Sequence, residues 1–146
     1  MELIVVMGRF ALLAGAIKFF PIDFFYARSL DDDAAKVAFT LRGAHDRSVT
    51  QDSASAWGVH FVNPASGGGY YQVFKGDTFG TGTVVEKINL NETIQFASPP
   101  SASSTDVMFS KIYGLPSGAS FIILSIISKP ATIHTVTILT SGQTQY

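Results

Sequence analysis

Cysteine is absent from the 146 residues, which excludes both a disulfide framework and a thiolate metal site while leaving the redox compartment open. Charge is scarce. Asp, Glu, Lys and Arg make up 14% of the chain against 47% hydrophobic residues, below the roughly 25% charged residues of an average soluble domain. An anchor segment or extensive self-association would produce that deficit. The net charge of -1 provides no general attraction to nucleic acid or to acidic lipid. There is no internal repeat, and the length suits one domain with at most one appended element.

Catalytic signatures are missing as well. No G-x-S-x-G elbow occurs, and "PSGAS" lacks the strand-to-helix setting that a nucleophile needs. "SGGGYY" and "GDTFGTG" are glycine-rich, but neither opens a helix whose N-terminus could cradle phosphate, so both read as loops. Asp77, Glu86, Glu92 and Asp106 have no spacing that argues for a carboxylate pair. His45, His60 and His134 fall on a helix and two strands without E-x-x-H or H-x-x-x-H spacing, so no metal or other cofactor is expected. His60, opposite Trp57 and Phe61 in its strand, is expected to face solvent. His134 shares a face with Val136 and Ile138 and reads as a hydrogen-bonded core or edge histidine. "NET" at Asn91 matches a glycosylation sequon of a kind that arises readily by chance.

What the sequence does hold is a long apolar start. From Leu3 to Phe20 only Arg9 and Lys18 are charged, and as a helix this run is roughly 27 Å long, close to a bilayer core. Its Leu, Ile, Val and Phe residues favour insertion by about 0.3 to 0.6 kcal/mol each, against roughly 2.5 to 3.5 kcal/mol for a central arginine. The balance favours the membrane by a small margin. Lys18 lies near one end and can snorkel, whereas Arg9 is deep. No basic stretch precedes the run and no A-x-A site follows it, so it is not a secretory signal and stays in the protein. Pro21 removes the bond to the carbonyl of Ile17, which predicts a kink or a short unwound stretch.

Beyond Pro21, Leu30, Ala34, Val37, Leu41 and Ala44 recur at spacings of four and three, one apolar face of an amphipathic helix. On the opposite face Asp32 with Lys36, and Arg42 with Asp46, stand at i,i+4. The Asp31–Asp33 run would support a helix start should the chain break near Ser29, and it reads as a solvated face in preference to the alternative of a cation site. From Trp57 the period becomes that of strands: "AWGVHFVN" and "YYQVFKG" form a hairpin around "PASGGG". "VVEKINL", "TIQFAS", "DVMFSKIY", "SFIILSIIS" and "TIHTVTILT" follow, separated by "NE", "SPPSASS", "GLPSG" and "SKPA". "FIILSIIS" does not alternate and is expected to be buried on both faces. The expected fold class is α+β: a long N-terminal helix, apolar over residues 1–22 and amphipathic over 23–50, packed on a mostly antiparallel β-rich head over 51–146.

"ELIVVMG", followed by an apolar helix, a proline and an amphipathic continuation, resembles the mature start of type IV pilins and of type II secretion pseudopilins. Their shared motif has the form FTLIELLVVIG; Glu2 matches its glutamate and Gly8 its glycine. Two later stretches, "VMFSKIYGLPSG" and "TIHTVTILTSGQTQY", resemble a phenylalanine strand with a glycine turn and the closing strand of the family's minor subunits. The resemblance implies a pilin-like fold and a non-enzymatic structural subunit. A prepilin peptidase would cut its leader, and the apolar helix would wait as a single pass in a bacterial inner membrane. Assembly machinery would then extrude copies into a periplasmic or extracellular helical filament. It also implies that Glu2 neutralises the N-terminal amine of a neighbouring copy. A carboxylate and an ammonium are tolerable in hydrocarbon only as a pair, since an unpaired one costs roughly 3 to 5 kcal/mol.

Three features depart from the family pattern. The basic leader and F-T-L do not precede Glu2, and Met1 stands where the family usually has isoleucine. Arg9 takes an apolar position, and Pro21 falls two residues late. Arg9 lies seven residues from Glu2, about 10 Å along nearly the same helix face, so two readings stand: it meets Glu2 of an axially shifted neighbour, or it is local sequence drift or a sequence error. Ala11 and Gly15 form a small-x-x-x-small pair for close helix approach, and the helix is expected to loosen between Gly15 and Pro21. The alternative reading is a minor pilin acting as a membrane-anchored binding module for DNA uptake or adhesion. DNA binding would need a basic patch with stacking aromatics, and the C-terminal "SGQTQY" has neither Lys nor Arg.

Overall fold

The computed structural model describes residues 22–146, with side chains described from Phe24 onward. Among the described residues one α-helix, α1 (Ile22–Val49), leads through a 3-10 turn (Asp52–Ala54) into nine strands. These are β1 (Trp57–Asn63), β2 (Tyr70–Lys75), β3 (Thr83–Asn89), β4 (Ile94–Ser98), β5 (Ser103–Phe109), β6 (Pro116–Gly118), β7 (Phe121–Ile126), β8 (Lys129–Ile138) and β9 (Thr144–Gln145). The class is α+β, one helix packed on antiparallel sheets. The strands form two sheets rather than one, in the orders β3-β2-β1-β5-β6 and β4-β7-β8-β9.

α1 runs without a break through Ser29, so the acidic run does not mark a helix start. The reason is local: neither Gly nor Pro occurs between Ile22 and Arg42, and the apolar stripe is continuous across Ser29. Neither expected i,i+4 ion pair forms. Lys36 Nζ instead reaches Asp33 Oδ1 at 2.9 Å; Arg42 donates to the Thr144 carbonyl at 2.8 Å and lies over the Tyr146 ring. At the far end the Trp57 amide donates to Ser48 Oγ at 2.8 Å, so β1 starts from a fixed point on the last turn of α1. Arg47 stacks over the Trp57 ring.

The hairpin of β1 and β2 forms as the alternation predicts. Other boundaries shift. β5 stops at Phe109, because Ser110–Gly114 folds into a turn closed by the Gly114 amide on the Ser110 carbonyl. "GLPSG" is not only a turn but contains β6, an edge strand whose proline needs no ladder partner for a missing N–H. The turn before β8 falls at Ile127–Ser128, so Lys129–Ala131 belong to the strand. β7 is buried through Ile122, Leu124 and Ile126 on one face; on the other, burial is partial, with Phe121 exposed, Ile123 half-buried and Ser125 buried.

One core fills the space between helix and sheets. Leu30, Ala34, Val37, Leu41 and Ala44 are all buried. They meet Val59, Phe61, Tyr71 and Val107 from the first sheet and Ile94, Phe96, Leu124 and Val136 from the second. Asp33 sits in the same stripe and is only 3% exposed. Its Oδ2 accepts the Asn91 amide at 2.8 Å and its Oδ1 accepts from Lys36. Asn91 lies where the chain leaves β3 for β4, so this carboxylate ties α1 to the crossing between the sheets. Asn63 adds a second tie, donating to the Phe96 and Pro99 carbonyls.

Two predictions follow from this core. Replacing Asp33 by Ala strips a part-buried amide of its charged acceptor and lowers stability by about 1.5 to 3 kcal/mol in denaturant titration, whereas Asn retains most of it. Tyr71 is buried, which pushes its phenol up to about 12 from the ordinary 10, with the Thr40 hydroxyl partly opposing the shift. The unfolded chain releases that proton near pH 10 and the folded chain near 12. The stabilisation is therefore complete below pH 10 and lost as pH rises through 12, by about 2 to 3 kcal/mol. Denaturation curves across that window will show a smaller loss for Tyr71→Phe than for the parent chain.

Candidate functional site

The apolar stripe Leu30, Ala34, Val37, Leu41 and Ala44 faces the head, and its burial makes helix and sheets one body. Glu2, Gly8, Arg9, Ala11, Gly15 and Pro21 lie outside the described residues. Among the described residues no helix is long and apolar enough to cross a membrane. The opposite side of α1 is open, and Phe24, Phe25 and Phe39 are exposed there.

Gly114 and Gly142, from two stretches distant in sequence, converge on His45. Gly114 closes the turn after β5 with φ +62°, and Gly142 closes the turn between β8 and β9 with φ +86°; both values belong to the left-handed region. A Cβ on Gly114 would stand 2.5 Å from His45 Nε2, and a Cβ on Gly142 would collide with the same imidazole and with the Gly114 carbonyl. His45 meets the Phe109 ring edge-on at 5.5 Å. The Ile112 amide donates to the Ser48 carbonyl, bringing the same turn onto the last turn of α1. Two turns distant in sequence are thus clamped on one helix residue, which needs glycine at both positions.

His60 is not open to solvent as its strand position suggests. The loop from Gly76 to Gly82 folds over the outer face of the first sheet and lays the Phe79 ring flat on the imidazole, 3.7 Å between centroids and 7° between planes. Phe79 also meets Phe74 edge-on. The β1–β5 register sets Asp106 directly opposite His60, and its carboxylate bonds Nδ1. Gln72 and Lys87 continue the row across β2 and β3. No hydroxyl nucleophile is bonded to this histidine among the described residues. His134 ties β8 to α1, its Nε2 standing 3.2 Å from Asp31 Oδ1 while Nδ1 is buried without a hydrogen-bond partner.

Sequence reasoning left Asp33 and the His60–Asp106 pair unread. Asp33 had a signal: it stands three residues after Leu30 and four before Val37, inside the apolar stripe. The pair had none, because it depends on a strand pairing 46 residues apart. Among the described residues no group of three or more His, Asp or Glu side chains could hold a metal ion. Comparisons with protein-family models, with curated proteins and with solved structures return no match.

The clamp is tested by glycine-to-alanine exchange. Gly142 and Gly67 share nearly the same left-handed φ, +86° and +90°, but a Cβ at Gly67 meets nothing within 4 Å. Both variants bear the backbone penalty of about 1 to 2 kcal/mol. Gly142→Ala will lose distinctly more in urea denaturation; equal losses would show that the imidazole does not hold that turn.

Proposed function

We propose that this chain is a non-enzymatic structural subunit of a type IV pilus or a type II secretion pseudopilus, of pilin-like fold. In this reading it is anchored in the bacterial inner membrane by residues 1–22 and polymerised through that same segment into a filament outside it. The observation that carries the reading is Glu2 at the head of the apolar run Leu3–Phe20, a carboxylate that hydrocarbon tolerates only when paired. Two features of the head support it. The amphipathic helix that continues the run packs by one face on an antiparallel head, and its other face stays open. The glycines of the two later family-like stretches share one structural role at His45.

Each part then has a task. The apolar segment supplies membrane residence and then packing between copies, and the charge pair sets the axial register. The C-terminal "SGQTQY" carries neither Lys nor Arg, which favours a building block over a nucleic-acid reader. Prepilin peptidase and the assembly machinery are the partners this reading requires. In a host that assembles such filaments, Glu2→Ala will leave the membrane level of the full chain unchanged and reduce sheared or pelleted polymer to a few per cent. Glu2→Asp, which keeps the charge, will restore part of it. Unchanged polymer from Glu2→Ala would overturn the reading.

A further inference from the structure

Two preformed apolar features lie at opposite edges of the first sheet. One is the loop Ser110–Leu115 beside the edge strand β6, which exposes Ile112, Tyr113 and Leu115, the tyrosine by 74%. Hydrogen bonds hold it rigid: Ser110 bonds both ways with Leu115, and the Ile112 amide docks on α1. The other is a groove of about 490 Å³ between α1 and the opposite edge strand β3, lined by Phe39, Thr40, Tyr71, Glu86 and Ile88. Phe39 is 75% exposed at its rim. Lys36 at the groove is already bridged to Asp33, which leaves Glu86 as its uncompensated charge, and the loop carries Lys111. Neither Glu86 nor Lys111 makes an ion pair among the described residues.

We propose that the Ser110–Leu115 loop of one copy seats in the α1–β3 groove of the next, with Lys111 against Glu86. The occupant is a second copy of this chain, so the inference rests on the filament reading and gives it a contact between heads. Geometry favours a neighbour over self-contact. β6 and β3 are separated by four strand steps, about 19 Å at the usual spacing, so no head reaches its own groove. The two surfaces differ, so the contact is head-to-tail and propagates along a row unless its rotation closes a ring. A rigid loop loses little freedom on docking. The exposed edge of β3 does not offer a simpler contact by strand pairing: its bulge between Glu86 and Val84 interrupts the ladder, and charged Glu86 and Lys87 stand at its middle.

The absence of native cysteine makes the test clean. Full chains carrying Phe39→Cys or Tyr113→Cys are oxidised in membranes and in polymer. The mixture will give a disulfide dimer, neither variant alone will, and the double variant will give a ladder of multimers. Glu86→Lys or Lys111→Glu added to the pair will cut crosslinking about fivefold, the order of one exposed ion pair, and the two together will restore it. Polymer without 39–113 crosslinks, or self-crosslinking of either single variant in place of the mixed product, would overturn the contact. If Glu2→Ala leaves polymer intact while the ladder forms, the loop-in-groove contact stands and the membrane-pair reading falls. A ladder that survives in detergent micelles without polymer likewise supports the contact alone; its absence there at millimolar chain, with polymer also absent, overturns it.

Discussion

The buried face of α1 is the constraint on which the rest of the head depends. Neither sheet closes a core alone, because each is apolar on the side that meets the helix and the other sheet. α1 is their common wall. Leu30, Ala34, Val37, Leu41 and Ala44 present small and medium side chains, which lets the aromatic groups of the sheets, Phe61, Tyr71, Phe96 and Phe109, fill the space opposite. Polar ties at intervals along the helix fix its position: Asp33 at the crossing from β3 to β4, Arg42 at β9, Ser48 at the start of β1. A helix held this way cannot slide or roll without breaking a charged hydrogen bond or opening a void.

In the proposed filament, a head fixed to α1 presents its open surfaces in one arrangement relative to that helix. The glycine clamp at His45 extends the same rigidity to the turns after β5 and β8. The surfaces that stay uncovered are the outer side of α1 with its exposed phenylalanines and the two edges of the first sheet.

Local periodicity made the helix, its buried stripe and most strands legible in the sequence. The 3.6-residue recurrence from Leu30 to Ala44 and the alternation of "WGVHFV" each reflect one apolar face that must be buried, and these readings need no knowledge of what covers the face. The division into two sheets could not be read this way, since alternation looks alike in either sheet. Short edge elements escaped for a related reason: β6 and β9 are three and two residues long, too short to carry a period. The environment of His60 depended on a distant partner and on Phe79 arriving from a glycine-rich loop that the sequence presents only as a loop. Asp33 is the instructive case, because the residue type argued for solvent while the position argued for the core, and position prevailed once two donors were available to its carboxylate.

Amide hydrogen exchange on the full chain tests the common-wall arrangement most directly. If α1 closes both sheets, amides of residues 30–44 will exchange in the slowest class together with those of β1 and β7, and all three will be released in one step as denaturant rises. Exchange of the 30–44 amides at low denaturant, ahead of protected sheets, would mean that the helix leaves the head independently and would contradict the account.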